Sequence, residues 1–559
     1  MSQENHTLPE AGRGSRPPGD PPRERVSLAE TAALMRELDD LIARCMRCGF
    51  CQEVCPVYGQ TFREADVARG KIALLRDLGR ELIRDAGAVD ERLNRCLLCS
   101  SCESICPPGV GITEIFLRAR AAITAYRGLG PVKRLIFRAL LPRPRLFNRL
   151  TQVAALYQDI FLKPESPRLG TSSLPVFRPV TGGRHVPSLP REPFSLRKGR
   201  ILEPAGKSGL KALYFPGCVP DKLFPRLSDA SLKVLRRHGV GAVMPEGLAC
   251  CGIPLAASGD RKGFLRLLDH NLERLALDFD CLVTSCATCA STIRDAWPRY
   301  RAYFTGHKRD MLDRLEEKTY DMTSFLVNVL KVDFPDRQAE AQAAAAIPAA
   351  SRDAADRTAG RGDAAARSAG PGDLGFTAAD EARPAAAGEP EGQAAGSGGA
   401  PPPAGRAQPP AGAPLRRVTY HDPCHLRRAM KVFEEPRRIL RSLSGTVYAE
   451  MPEAERCCGN GGSFSLLHYD VSRSIGQRKR DNIVSVSPDI VATSCPACMI
   501  QLMDVLSRNG DQADVRHVIE LYAESLGEEL GEAPGGEAPG LREARDREEA
   551  GAGQGVPAS

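Results

Sequence analysis

Cys45-Met-Arg-Cys48-Gly-Phe-Cys51-Gln-Glu-Val-Cys55-Pro56 recurs as Cys96-Leu-Leu-Cys99-Ser-Ser-Cys102-Glu-Ser-Ile-Cys106-Pro107. Both stretches read C-x2-C-x2-C-x3-C-P. Three thiolates two residues apart wrap one corner of an iron–sulfur cube, and the short loops bring backbone amides towards its sulfides. The fourth cysteine, followed by a helix-breaking proline, points away to the other cube. The expected ligand sets are therefore crossed. Cluster one takes Cys45, Cys48, Cys51 and Cys106; cluster two takes Cys96, Cys99, Cys102 and Cys55; each is [4Fe–4S]. A pair of zinc sites is the competing reading, but zinc usually takes two CxxC pairs or a Cys/His mixture and needs neither the third cysteine nor the C-P ending.

The chain has 559 residues and 19 cysteines, of which 18 fall into four regular sets. An odd number of cysteines in a large chain points to metal ligands in a reducing compartment rather than to a disulfide scaffold. Helices are expected around the first two sets. Ser27-Leu-Ala-Glu30 has the capping-box form. Leu28, Leu34, Met35, Leu38, Leu41 and Ile42 follow at helical spacing. A helix over residues 66–85 carries Ile72, Leu75, Leu78, Leu82 and Ile83 on one face, and a third is expected over 112–126.

The remaining sets form an internal repeat. Lys211-Ala-Leu-Tyr-Phe-Pro-Gly-Cys218 matches Arg417-Val-Thr-Tyr-His-Asp-Pro-Cys424, Cys250-Cys251-Gly252 matches Cys457-Cys458-Gly459, and Cys286-Ala-Thr-Cys289 matches Cys495-Pro-Ala-Cys498. The offsets are 32 and 33 residues to the cysteine pair, then 35 and 37 to the CxxC. Strands alternate with helices, which argues parallel α/β layers with right-handed crossovers. Cysteines at the carboxyl ends of neighbouring strands converge, as ligands do in open α/β sheets. Cys218, Cys250, Cys251, Cys286 and Cys289 are the candidate ligands of a first CCG cluster, and Cys424, Cys457, Cys458, Cys495 and Cys498 those of a second. Structural zinc or a reducible disulfide within each module is the alternative. The leftover Cys281 reads as a small core residue. His421, Asp422 and His425 flank Cys424, either as groups that tune a cluster by hydrogen bonds or as a polar turn at a strand end.

The expected architecture is α+β and multidomain: a helical two-cluster ferredoxin-like domain over 26–126, a basic helical connector over 127–209, and α/β CCG modules over 210–334 and 415–526. Residues 1–25, 335–414 and 527–559 are expected not to fold. Residues 339–414 hold 28 Ala, 12 Gly and 10 Pro, with only Ile347, Leu374 and Phe376 as larger apolar residues, and cannot form a core.

Two such cysteine runs followed by two CCG modules resemble the glycolate oxidase iron–sulfur subunit family. Arg47-Cys-Gly-Phe-Cys51, Arg69-Gly-Lys-Ile72, Phe137-Arg-Ala-Leu-Leu-Pro-Arg-Pro144 and His517-Val-Ile-Glu-Leu521 agree with it. Lactate-utilisation iron–sulfur proteins and iron–sulfur subunits of anaerobic glycerol-3-phosphate dehydrogenase and of heterodisulfide reductase are related. The resemblance implies electron transfer from an FAD-containing dehydrogenase subunit to a membrane, quinone-type acceptor. The long linker departs from the pattern. So do the two complete five-cysteine sets, which are more like heterodisulfide reductase and its disulfide chemistry.

What the chain lacks fits an electron carrier. No G-x-G-x-x-G follows a strand and opens a helix, and Gly459-Asn-Gly461-Gly462 has the wrong spacing. Oxidation of a 2-hydroxy acid removes two electrons, a task for flavin rather than for single-electron clusters. The chain is therefore not expected to oxidise substrate alone. Residues 127–150 carry seven basic residues and no acid, interleaved with Leu135, Ile136, Phe137, Leu140, Leu141, Leu146 and Phe147. This is a basic amphipathic surface for anionic lipid or an acidic partner subunit, or else a solvated helix hairpin packed on the ferredoxin-like unit. The net charge of +7 is modest, and one Trp with 5% aromatics argues against nucleic acid. No apolar run spans a bilayer and the first residues lack an apolar signal core, so a cytoplasmic chain, at most peripheral on the inner membrane face, is expected.

Overall fold

A computed structural model describes residues 27–166, 169–172, 183–339 and 415–527. The stretches expected not to fold lie outside the described residues, apart from 335–339 and Gly527.

Ser27 begins the helical unit. Its hydroxyl accepts from the Glu30 amide at 3.1 Å, and the Glu30 carboxylate accepts from the Ser27 amide at 2.6 Å, closing the capping box on helix Leu28–Arg36. That helix packs with Ala68–Gly79 and Ile112–Arg127 around Met35, Leu38, Ile72, Leu75, Ile115 and Phe116. Cys45, Cys51, Cys96, Cys102 and Cys106 pack on this core. The helix expected over 66–85 stops at Gly79, because Glu81 turns left-handed (φ 59°) and the amides of Leu82 and Ile83 both donate to the Asp77 carbonyl. Leu82 therefore leaves the apolar face and is 74% exposed.

The connector is only partly helical. Pro131–Leu135 runs into a π turn, Ile136–Leu140, and Pro144–Phe161 forms a long helix. A three-stranded antiparallel sheet follows: β1 (Leu162–Ser166), β2 (Leu169–Ser172) and β3 (His185–Pro187). The short β4 (Ile201–Leu202) then adds antiparallel to the edge of the next sheet.

That sheet holds β5 (Lys211–Tyr214), β6 (Gly241–Met244), β7 (Cys281–Thr284) and β8 (Thr319–Asp321), in the order β4-β6-β5-β7-β8. The second holds β9 (Arg416–His421), β10 (Thr446–Tyr448), β11 (Ile490–Thr493) and β12 (Asp514–His517), in the order β10-β9-β11-β12. Apart from β4, every pair in both sheets is parallel, as strand–helix alternation requires. The repeat in sequence is thus a repeat in topology, with the reversal of strand order between β5 and β7 and between β9 and β11. β7 and β11 are buried on both faces, which explains their unbroken apolar composition.

The modules do not stand apart. One apolar core joins Phe264, Leu268, Ile293 and Trp297 of the first to Leu426, Met499 and Leu502 of the second; another joins Leu232, Leu235 and Phe325 to Ile439, Ile519 and Tyr522. Among the described residues, no helix is long and apolar enough to cross a membrane.

Candidate metal centres

The two C-P loops are wound alike. Arg47 and Gly49 in the first, and Leu98 and Ser100 in the second, have φ of 56°, 94°, 53° and 56°. Side-chain-bearing residues in this region are strained by about 1–3 kcal/mol each. The Leu98 amide donates to Cys96 Sγ at 3.4 Å. The N–H groups of loops wound this way suit an anionic cluster.

The thiols of the two loops fall into two neighbourhoods. Burial pushes the Cys45 thiol up, and the neighbouring Cys106 and Cys48 add to it. Burial pushes the Cys55 thiol up to about 12, with Cys99 and Cys96 adding. Cys102 is likewise raised, by burial and then by Cys96, Cys99 and Cys55. Cys45, Cys48, Cys51 and Cys106 line one cavity together with Cys102, and Cys55, Cys96, Cys99 and Cys102 line another.

In each CCG module all five thiols gather beyond the strand ends. Cys218 Sγ lies 3.6 Å from Cys250 Sγ. Cys250 touches Cys251, Cys251 touches Cys289, and Cys289 touches Cys286. In the second module Cys424 touches Cys457, Cys457 touches Cys458, Cys458 touches Cys498, and Cys498 touches Cys495. The adjacent pairs behave alike. Cys250 and Cys457 are held well above the ordinary thiol range by contacts with Cys218 and Cys424 respectively, while Cys251 and Cys458 are held well below it by hydrogen bonds from Cys250 and Cys457. The glycine completing each CCG is structurally required: Gly252 and Gly459 adopt φ of 95° and 93°.

Two contacts that no spacing encodes join the sets. Cys286 touches Cys495 across the seam between the modules, where the Ala287 amide donates to the Ser494 carbonyl at 3.2 Å and Thr288 Oγ1 lies 3.6 Å from Cys495 Sγ. Cys457 touches Cys99, within a small apolar cluster of Val57, Leu97, Phe464, Val471 and Ile475. Sulfur thus runs in contact from Cys218 to Cys99.

Buried cations lie beside the cysteine sets, and the sequence reading does not anticipate them. Lys71 is 1% exposed and bonds to the Asp66 carbonyl; burial pulls its ammonium down, and Cys96 and Cys55 act against that. Arg120 is buried on the carbonyls of Leu93, Cys96 and Ala257. Lys479 is fully buried, bonded only to the Glu453 and Ala454 carbonyls, and burial pulls it down to about 8. A buried cation without a bonded carboxylate is costly unless an anion lies close by. Thiolate-ligated clusters supply that anion, so the donor set fits them better than it fits a disulfide. The only sequence signal for Lys71 is its place in Arg69-Gly-Lys-Ile72; nothing marks Lys479.

The residues flanking Cys424 divide. Asp422 turns away, gripped by Arg437 at 2.9 and 3.0 Å and by Arg427 at 2.9 Å, and belongs to the strand-end turn. His421 turns inwards, where it, Cys458 and Cys498 place ligand atoms within 4.8 Å of one another. It is fully buried, and its ring helps to hold the Cys458 thiol down. Burial lowers His425, which lies near Cys495 and Cys251. His517, at the end of β12, is lowered by burial to about 4 and also lies near Cys495. Cys281 is buried in the core away from these sets, its thiol pushed by burial up to about 12.

A 4Fe-4S dicluster domain model matches residues 41–110, and a Cysteine-rich domain model matches 212–294 and 418–503. The chain is similar to glycolate oxidase iron–sulfur subunits along most of its length. The probable glycolate oxidase iron–sulfur subunit of Bacillus subtilis is 25% identical over 503 residues, covering 87% of this chain and 94% of that one. The glycolate oxidase iron–sulfur subunit of Escherichia coli is 23% identical, covering 88% and 96%. One of the subunits of the dihydromethanophenazine:CoB–CoM heterodisulfide reductase of Methanosarcina acetivorans is also 23% identical, covering 89% and 96%. This iron–sulfur protein thus carries [4Fe–4S] clusters, and its similarity to subunits of oxidoreductases extends over 87–89% of the chain.

Proposed function

We propose that the chain is the iron–sulfur electron-transfer subunit of a flavin-dependent 2-hydroxyacid dehydrogenase, glycolate or lactate being the substrate class, and that it links an FAD-containing subunit to a membrane-side quinone-type acceptor. The observation that carries the reading is the unbroken thiol run. Three cysteine sets far apart in sequence abut through Cys99–Cys457 and Cys286–Cys495, and Cys55 of the fourth lies near Cys99 and Cys96, as a conductor requires and as four independent structural sites do not. Iron–sulfur clusters supply one-electron transfer when bound. In this reading Cys45, Cys48, Cys51 and Cys106 hold one cluster, Cys55, Cys96, Cys99 and Cys102 a second, and the two five-cysteine sets a cluster each. Lys71, Arg120 and Lys479 neutralise charge beside them, and the surrounding apolar core keeps water out. The names of the Bacillus and Escherichia relatives support the substrate class.

A second reading is disulfide redox chemistry at the CCG centres. Both modules keep five thiols, and the sets face each other across a seam flanked by His425 and His517. One experiment separates them. The tagged chain is purified anaerobically with its partners, the flavin content is measured, and cluster reduction is followed by EPR on adding glycolate, lactate or a thiol pair. Reduction by a 2-hydroxy acid only when a flavin subunit is present supports the first reading. Turnover of a 2-hydroxy acid by the flavin-free chain overturns it, and reduction by thiols alone favours the second.

A further inference from the structure

Helix Pro144–Phe161 presents an exposed apolar stripe that no other described element covers. Leu146, Leu150, Val153 and Tyr157 follow one another at helical spacing and are 38%, 46%, 51% and 54% exposed; Leu156 beside them is 69% exposed. In the preceding segment Val132 and Leu135 are 69% and 63% exposed. The opposite face anchors the helix. Asn148 is buried, donating to Ser195 Oγ at 3.2 Å, and Gln158 exchanges bonds with the Leu189 backbone at 3.0 and 2.8 Å. Phe137 and Leu141 enter the core shared by the CCG modules. So the hairpin is held firmly on the body of the protein while its outer side offers apolar groups to something else.

The charge of the rim indicates what that is. Residues 127–150 contain no acid. Arg145 and Arg149 lie one to two residues round the helix from the stripe, on one flank. The Arg145 side chain is 90% exposed, its nearest carboxylate being Glu246 at 3.9 Å. Arg143 and Arg149 are exposed and form no ion pair among the described residues. An acidic protein face would satisfy the arginines, but an in-plane apolar stripe with basic flanks on an 18-residue helix fits a bilayer interface more closely.

We propose that Pro144–Phe161, with the turn before it, is a docking surface for an anionic bilayer: the helix lies in the interface plane, with Leu150, Val153, Leu156 and Tyr157 among the acyl chains and Arg143, Arg145 and Arg149 at the headgroups. The inference extends the membrane-side acceptor of the proposed function, but binding to lipid is read here with no substrate or acceptor present, so either can fail without the other.

The cluster-loaded full chain is sedimented with vesicles of phosphatidylcholine alone and of phosphatidylcholine with phosphatidylglycerol. Binding is expected to the anionic vesicles, at least tenfold weaker to the neutral ones, and weakened by salt. Leu150→Glu with Leu156→Glu should lower it tenfold or more, and Arg145→Glu with Arg149→Glu should remove the preference for anionic lipid, each variant keeping the wild-type iron content. The chain has a single tryptophan, the buried Trp297. Leu156→Trp therefore reports insertion directly, by a blue shift on adding anionic vesicles. No binding by the wild-type chain overturns the proposal. So does equal binding to both vesicles, unchanged binding in the glutamate variant, a dimer in solution that those glutamates dissolve, or loss of the flavin partner from the variant without any lipid binding by the wild type.

Discussion

Replacing Gly459 by alanine tests why the cysteine pair must be followed by glycine. At φ +93° an L side chain costs roughly 1–2 kcal/mol. The added Cβ would also stand 2.7 Å from the Ser472 carbonyl oxygen and 3.1 Å from Ile475 Cβ. Ser472 lies in helix Tyr469–Val484; its carbonyl accepts from Gln501 Nε2 at 3.3 Å and its hydroxyl donates to the Gly459 carbonyl at 2.8 Å, so the backbone there has little room to give. Forced overpacking of this kind costs about 1–3 kcal/mol. Together the two effects amount to about 2–5 kcal/mol, or a fall in Tm of roughly 8–20 °C at about 4 °C per kcal/mol for a module of this size. Because Gly459 adjoins Cys457 and Cys458, iron bound by the second CCG module should fall as well. Gly252→Ala has the same conformational cost, but its Cβ would meet the Phe264 ring at 2.8 Å, a side chain that can shift, so a smaller loss is expected. The measurements are an anaerobic thermal melt and iron per chain. Wild-type Tm and full iron in Gly459→Ala would refute the reasoning, because the left-handed turn would then not be what sets the two thiols.

Cys55→Ser should damage the cluster built on Cys96, Cys99 and Cys102 and spare the one on Cys45, Cys48 and Cys51; an EPR spectrum of the reduced variant with the opposite loss contradicts the crossed sets. Cys457→Ser with Cys458→Ser should lower iron from a wild-type value above the eight atoms that two cubes hold; eight atoms in both proteins would make the CCG modules structural. Lys479→Met should act in opposite directions on the empty and loaded chain. Lys479 is depressed from 10.5 to about 8, so its charge costs the cluster-free fold about 3 kcal/mol below pH 8, a penalty that disappears as pH rises towards 10.5. The metal-free variant should therefore be more stable than wild type at pH 7 and the difference should vanish near pH 10.5, while the variant binds its second CCG cluster more weakly; chemical denaturation of both proteins across that range, with iron titration, checks both signs.

The thiol sets are legible in the sequence because ligand spacing is a local property: short loops and strand ends place cysteines by chain geometry alone. The parallel sheets are legible for the same reason, since strands such as Cys281–Thr284 and Ile490–Thr493 run straight into CxxC. The relation between the sets is not. Cys99 and Cys457 meet through the docking of two units separated by hundreds of residues, and no periodicity records that. Lys71 and Lys479 sit on amphipathic helices where lysine ordinarily marks the solvated face, and only tertiary packing turns them inwards. The antiparallel sheet of β1, β2 and β3 leaves no clear pattern because its strands are short. The helix expected over 66–85 is longer than the one formed, because Leu82 and Ile83 continue an apolar rhythm that the backbone abandons at Glu81.

The contacts between buried thiols give the repeat a physical meaning. In each CCG pair two buried thiols lie in contact and push each other's ionisation in opposite directions, so both cannot ionise easily at once. Such a pair cannot release its second proton into a low-dielectric core unaided; a metal cluster supplies the compensating positive charge, so ligation and deprotonation come together. Two modules with the same bias have been brought strand-end to strand-end. Cys495 is biased towards thiolate, first by Cys286 and then by Cys498, and Cys286 is correspondingly raised by Cys495. The contact between two buried thiols inside a pair is therefore repeated across the seam. A protein that needed only two separate scaffolds would gain nothing by burying Cys286 against Cys495 or Cys99 against Cys457, since each contact crowds like charges once the thiols ionise. The arrangement makes physical sense when the groups held there exchange electrons with their neighbours.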